Sequence, residues 1–226
     1  MEIFLDSANL NEIQKWTDMG IIDGVTTNPS IMLKDGAYNI ETRAKEIAKL
    51  ISPNPLSVEV TTNDLAEMVS QAKKFDSWAQ NIAIKIPQIN QDGVPCYGVI
   101  KQLEEAGIMV NATAALSIGQ VMLAAKSGAT YISIFAGRIS DEGGDSAAVI
   151  ANSADWLERW DYKSKIIVGS IRSVGDVISA ALAGAHIVTT PPAMLAKMAD
   201  HQYTRETVKQ FVTDAKKAMD MLDEGQ

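Results

Sequence analysis

Eight short β-rich runs recur along this chain with helix-patterned stretches between them, an alternation that restricts the fold to a parallel α/β architecture. The strands are read at Glu2–Asp6, Asp23–Thr27, Leu56–Val60, Ile82–Ile86, Ile108–Thr113, Tyr131–Phe135, Lys165–Ser170 and His186–Thr190. Successive runs lie about 20 to 35 residues apart, the length of one strand, one helix and two loops in a barrel. Amphipathic stretches at Asp64–Trp78, Ser117–Ser127, Asp145–Trp160 and Ser173–Ala183 open with Asp or Ser, whose side chains cap helix N-termini. Gly107, Gly128 and Gly184 stand where such helices end. Eight regular units favour closure into a (β/α)8 TIM barrel over an open, doubly wound sheet. A helix near Ala193–Ala199 completes the eighth unit. A further C-terminal helix over residues 204–222 is surplus to the barrel and is expected to pack on a neighbouring subunit. No linker or low-complexity tract interrupts residues 1–226, so one barrel domain is expected.

Charge narrows the classes of partner. Lysine and arginine total 20 against 28 acidic residues, a formal net charge of −8, which disfavours nonspecific binding to nucleic acid or an anionic membrane. No apolar run reaches the roughly 18 residues of a membrane-spanning helix. The single cysteine, Cys96, excludes an intrachain disulfide, and the N-terminus reads as an acidic-tipped strand, so a cytoplasmic location is expected.

Strand parity then sorts the side chains. In Ile82–Pro87 the three isoleucines share the face that needs helix cover, which sends Ala83, Lys85 and Pro87 inward. In Leu56–Thr61 the inward set is Ser57, Glu59 and Thr61, and in Ile108–Thr113 it is Met109, Asn111 and Thr113. The same reasoning turns in Asp6, Thr26, Asn28, Ser133, Phe135, Ser170 and Arg172 toward the C-terminal ends of their strands. A barrel built only for stability fills that space with Val, Ile and Leu; here a polar pocket is expected at the mouth where barrel enzymes work.

A lysine in that pocket loses hydration, which disfavours its ammonium form and frees the amine as a nucleophile toward a ketone. The plainer alternative is a lysine satisfied by an ion pair with Glu59 or Asp6. Arg138 and Arg172 follow strands six and seven, beside Ser170. Arginine forks bind phosphate oxygens in pairs, and the late loops of barrels are common phosphate sites. Two arginines at one end of an acidic protein therefore point to an anion.

The segments Phe4–Asn9 (FLDSAN), Gly24–Ser30 (GVTTNPS), Ile84–Pro87 (IKIP), Asn111–Thr113 (NAT) and Ser133–Ile139 (SIFAGRI) together resemble the transaldolase family, in its small single-barrel branch that also holds fructose-6-phosphate aldolases. The resemblance spans nearly the whole chain in order. It implies that Lys85 forms the Schiff base and that Asp6 takes the proton from the C4 hydroxyl. It makes Glu59 and Thr113 the pair that hold a water and move protons during imine formation. Asn28, Asn111 and Ser133 match groups that bind the dihydroxyacetone unit, and Arg138, Ser170 and Arg172 match the phosphate site. The implied activity moves dihydroxyacetone from fructose 6-phosphate or sedoheptulose 7-phosphate to erythrose 4-phosphate or glyceraldehyde 3-phosphate, in the non-oxidative pentose phosphate pathway. Aldolases of the family tend to carry Gln at the position of Glu59 and Tyr at that of Phe135, so both positions here have the transferase form. An aldolase that releases free dihydroxyacetone is the alternative within the family, and a non-catalytic sugar-phosphate binder is the alternative from another class.

No cofactor is implied. His186 and His201 lack ligand partners at metal spacing, so no metal site is expected. The resemblance also implies a homo-oligomer, a pentamer or decamer, with the last helix bridging neighbours.

Overall fold

The structure is a computed structural model that describes residues 1–224. Eight parallel strands close on themselves in sequence order: β1 (Glu2–Asp6), β2 (Gly24–Thr26), β3 (Leu56–Glu59), β4 (Ile82–Pro87), β5 (Val110–Ala115), β6 (Tyr131–Phe135), β7 (Lys165–Gly169) and β8 (Ile187–Thr190). The first strand pairs with the last through Glu2–Leu5 and Ile187–Thr190, so no edge remains open. The fold is a (β/α)8 barrel, as the alternation of periods predicts.

The helical layer comprises α1 (Leu10–Asp18), α2 (Pro29–Lys34), α3 (Ile40–Ile51), α4 (Leu65–Asp76), α5 (Tyr97–Glu105), α6 (Ile118–Lys126), α7 (Ala136–Asp141), α8 (Ser146–Arg159) and α9 (Val174–Leu182). Their starts follow capping chemistry. Asn9, Asn28, Asn39, Asp64, Ser117, Asp145 and Ser173 each accept a backbone N–H of the first turn. Met1–Pro192 form one compact unit, which contains all eight strands. The residues from Ala193 onward form a second unit, made of most of α10 (Pro192–Ala199) and of α11 (Gln202–Glu224). The last helix is thus a turn longer than residues 204–222 and carries exposed Val208, Phe211, Val212, Met219 and Leu222 along one helical stripe.

Register places the inward face without ambiguity. Cα partners run Phe4–Gly24, Asp6–Thr26, Thr26–Ser57, Glu59–Lys85, Lys85–Asn111, Asn111–Tyr131, Ser133–Ile167 and Phe135–Gly169 around the barrel. The lower interior is an apolar plug of Phe4, Ile167 and Ile187, with Tyr131 edge-on to Phe4. Gly24 is required there: a Cβ would stand 2.7 Å from the Phe4 ring. The plug closes the barrel from below and leaves the polar layer above it.

Two departures from simple parity shape that layer. Strand β5 starts at Val110 rather than Ile108 and continues to Ala115, and its register to β6 shifts between Ala112 and Ala115. Ala114 takes a left-handed φ of 60° at that bulge, directly after Thr113. Strand β7 ends at Gly169, which occupies the inward register. Ser170 reaches the mouth because it turns with φ 59°, not because a strand phase carries it there.

Candidate active site

Lys85 sits on the inward face of β4 with 4% of its surface exposed. Its Nζ lies 2.9 Å from Glu59 Oε2 and donates to the Thr27 carbonyl oxygen at 3.0 Å. The ion pair anticipated as the plainer reading therefore exists. It does not fill the space: Lys85 also lines a cavity of about 180 Å³ together with Asp6, Thr26, Ser133 and Phe135. An amine, two carboxylates and an adjoining cavity thus meet at the C-terminal ends of β1 to β6.

Asp6 ends β1 and accepts a hydrogen bond from Thr26 Oγ1 at 2.7 Å. Its carboxyl faces the mouth but is ringed by protein. Burial pushes its pKa above the ordinary value of 3.8, against the pull of the Thr26 hydroxyl and the Lys85 charge, with Asp35 and Glu59 adding to the rise. A carboxylate with raised proton affinity is a better base than a solvated one. Asp35 braces the segment after Asp6, its Oδ2 accepting from Ser7 Oγ at 3.0 Å and from the Ala8 N–H at 2.8 Å.

Asn28 caps α2 by accepting the Ile31 N–H at 2.9 Å through Oδ1 and lines the same cavity, so its amide NH₂ is the group free to donate to a ligand. Ser133 donates to Asn111 Oδ1 at 2.7 Å, and Asn111 donates in turn to Ser57 Oγ at 3.1 Å. This buried chain fixes the amide orientation and ties β3, β5 and β6 together under the cavity. Thr113 is buried, and its hydroxyl has no hydrogen-bond partner among the described residues. A buried hydroxyl in that condition costs free energy and suits a site for water or substrate.

The anion site divides. Arg138 and Ser170 line the cavity with Lys85, whereas Arg172 lines a neighbouring one of about 280 Å³ with Asp176 and Ser140. The Arg172 guanidinium grips both oxygens of Asp141, and Arg138 lies 4.0 Å from the same carboxylate. The hydrogen bonds from Arg172 hold the Asp141 carboxyl below the usual carboxylate range and keep the guanidinium still more firmly protonated. Gly137 lets the two strand ends meet: a Cβ there would stand 2.3 Å from the Ser170 carbonyl oxygen and 2.9 Å from Arg172 Nε. Arg172 is accordingly next to the cavity but turned to a carboxylate, an outcome that strand periodicity does not encode.

Two cavity residues fall outside the sequence-derived set: Thr189 on β8 and Gly169 on β7. Both follow from the same parity rule, with Ile187 and Ile167 setting the phase. A larger cavity of about 780 Å³ opens at the opposite end of the barrel, beside Lys45, Trp78, Asn81 and Tyr131. It lacks an acid–base pair with a buried amine, so volume alone does not make it the reactive centre. Among the described residues no cluster of three or more His, Cys, Asp or Glu is placed to hold a metal ion, and no helix is long and apolar enough to cross a membrane.

The barrel also resembles a solved structure of another protein. A putative lactate oxidase from Pediococcus acidilactici superposes with a TM-score of 0.57 over 84% of this chain and 62% of that one, at 14% identity, a likeness of fold alone. Sequence relatives are nearer. A probable transaldolase of Petrotoga mobilis is 41% identical over 98% of both chains, and one of Lactiplantibacillus plantarum is 39% identical over 96% of this chain and 97% of its own. A probable transaldolase of Nitrosopumilus maritimus is 40% identical over 96% of both. The family described as Transaldolase/Fructose-6-phosphate aldolase matches residues 3–225. On this match, and on relatives about 40% identical over nearly their whole length, the chain belongs to the transaldolase/fructose-6-phosphate aldolase family.

Proposed function

We propose that the protein is a transaldolase that carries a dihydroxyacetone unit on Lys85 from a ketose phosphate to an aldose phosphate. The observation that carries this reading is buried Lys85, paired with a partly exposed Glu59 and lining a cavity that Asp6 also lines. Transfer of a proton from Lys85 to Glu59 frees the amine to attack the C2 carbonyl. The carbinolamine loses its hydroxyl as water, with Glu59 and a water held at Thr113 as the route for that proton, and a protonated imine remains. The C3–C4 bonding electrons then move toward C2 and nitrogen, and Asp6 takes the C4 hydroxyl proton. An aldose phosphate leaves, and an enamine stays on Lys85. Reaction with a second aldehyde runs these steps backward, and Asp6 returns its proton to the new hydroxyl.

Phe135 supports transfer over simple cleavage. It lines the cavity and has no hydroxyl to protonate the enamine carbon and release the three-carbon unit. Borohydride added with fructose 6-phosphate is expected to fix that unit to Lys85 and inactivate the protein; failure to label Lys85 would refute the Schiff-base reading. Glyceraldehyde 3-phosphate released quickly without erythrose 4-phosphate would favour the aldolase instead, and Phe135→Tyr is expected to shift the balance that way. Turnover of any kind rules out the non-catalytic binder. The apolar stripe on α11 supports assembly into a homo-oligomer, which sedimentation velocity tests.

A further inference from the structure

Above the plug, β8 contributes one hydroxyl to the cavity, that of Thr189, with 6% of the residue exposed. Thr189 Oγ1 lies 2.5 Å from Thr26 Oγ1, which is itself 2.7 Å from Asp6 Oδ1. A hydroxyl has one proton to give. When Asp6 is ionised it can only accept, so the Thr26 proton points at Asp6 and the short contact on its other side must be filled by the proton of Thr189. The threonine rotamer is held from behind: a Cβ on Gly169 would stand 3.3 Å from Thr189 Cγ2, so the methyl packs against the one inward position of β7 that lacks a side chain.

We propose that Thr189 is a positioning residue for the reaction, whose hydroxyl donates to Thr26 and thereby fixes the Thr26 proton on the carboxylate of Asp6. This rests on the reading of Asp6 as the base for C3–C4 cleavage. Without Thr189, Thr26 can rotate away, and the ionised carboxylate loses part of the hydrogen bonding that offsets its burial. The charged groups facing Asp6 are Lys85 from β4, Glu59 from β3 and Asp35 after α2. A valine at 189 changes none of them, so any movement of the Asp6 titration reports the hydroxyl chain. Ionised Asp6 is the active form, so weaker stabilisation of that form moves the acid limb of kcat/KM to higher pH.

The test is the pH dependence of fructose 6-phosphate cleavage in Thr189→Val, Thr189→Ser and Asp6→Asn. Loss of the chain is expected to raise the acid limb of Thr189→Val by about half to one pH unit, a roughly three- to tenfold fall in kcat/KM below the limb. Above the limb the loss should be smaller than below it, since Asp6 is ionised there in both proteins. Thr189→Ser keeps the hydroxyl and should restore the parent profile. Thr189→Ala repeats the measurement should valine fail to fold. An acid limb that stays in place, or a serine variant that behaves like valine, overturns the proposal. Asp6→Asn separates the two layers: if it abolishes cleavage while Thr189→Val leaves the limb unmoved, only the link through Thr189 fails. If Asp6→Asn cleaves normally, Asp6 is not the base and both fail.

Discussion

Gly137→Ala is the sharpest test of where the substrate phosphate sits. A Cβ at 137 would lie 2.3 Å from the Ser170 carbonyl oxygen, 2.7 Å from Ser170 Oγ and 2.9 Å from Arg172 Nε. Real Cβ contacts stay beyond 3.0 Å, so the β7 turn must give way by roughly 0.7 Å, the gap between 2.3 and 3.0 Å. Ser170 holds φ 59°, an uncommon value for serine, and has little room to absorb the shift by rotation. Overpacking of this kind costs about 1–3 kcal/mol, within the roughly 5–15 kcal/mol stability of a typical domain, so the variant is expected to fold. A displacement near 1 Å at a positioning group costs up to about 100-fold in rate, so a fall in kcat/KM of roughly ten- to 100-fold for a phosphorylated ketose is expected. The control is unphosphorylated fructose, which on the proposed reading would need Lys85 and Asp6 but has no phosphate for Ser170 or the arginines. Its slow cleavage should change by less than about twofold in kcat/KM, since none of its contacts moves. Coupled detection of the aldehyde product measures both donors. An equal loss for both, with an unchanged melting temperature, would refute the assignment of the anion to this corner.

Three further outcomes follow from burial and charge. Gly24→Ala presses a methyl into the Phe4 ring at 2.7–2.9 Å and should lower stability by about 1–3 kcal/mol in urea unfolding, with Phe4→Leu restoring part of the loss; an unchanged midpoint would contradict the plug packing. Burial pushes the His186 pKa below 6.5, and its neutral Nδ1 accepts the Ile166 N–H at 3.1 Å. Its contribution is therefore complete above the unfolded value and lost as pH falls through the folded one, so the drop in stability between pH 7.5 and 5 should shrink in His186→Gln. The Asp6 pKa is raised, so its folded-state cost appears as pH rises through the folded value. Asp6→Asn should therefore melt higher than the parent at neutral pH, lose that advantage near pH 3, and be inactive in cleavage.

The strands were legible because a parallel sheet covered by helices leaves apolar runs, and Ile82, Ile84 and Ile86 announce the phase that turns Lys85 inward. Glu59, Asn111 and Ser133 followed by the same count. Parity does not carry Ser170 to the mouth: β7 stops one residue earlier, and a left-handed turn brings it there. Arg172 turns to Asp141, a partner 31 positions away at the end of α7, and charge pairing between a loop and a distant helix end leaves no periodic trace. Thr189 is hard to assign from sequence because Thr189 and Thr190 are adjacent and polar; only Ile187 below them tells which faces in. Helices α2 and α7, each six residues long, are too short to show a 3.6-residue period.

The surroundings of Asp6 bear directly on the direction of the chemistry. On the proposed mechanism, the cavity holds a protonated imine and an ionised Asp6 before the C3–C4 bond breaks; afterwards it holds a neutral enamine and a protonated Asp6. Cleavage therefore removes a positive and a negative charge at once from a poorly hydrated space, and the burial that raises the Asp6 proton affinity favours that step. Burial alone would overshoot, because a carboxyl already protonated at working pH cannot accept the substrate proton. The hydrogen bond from Thr26 and the charge of Lys85 pull the other way and favour the ionised form. The Lys85–Glu59 pair sets the complementary limit, since Glu59 gives the ammonium proton somewhere to go without leaving a bare charge in the interior. An all-aliphatic mouth would hold Asp6 protonated, and a fully solvated one would remove the drive to neutralise it. The mixed lining of threonine, serine and asparagine around one amine keeps the base between those two failures.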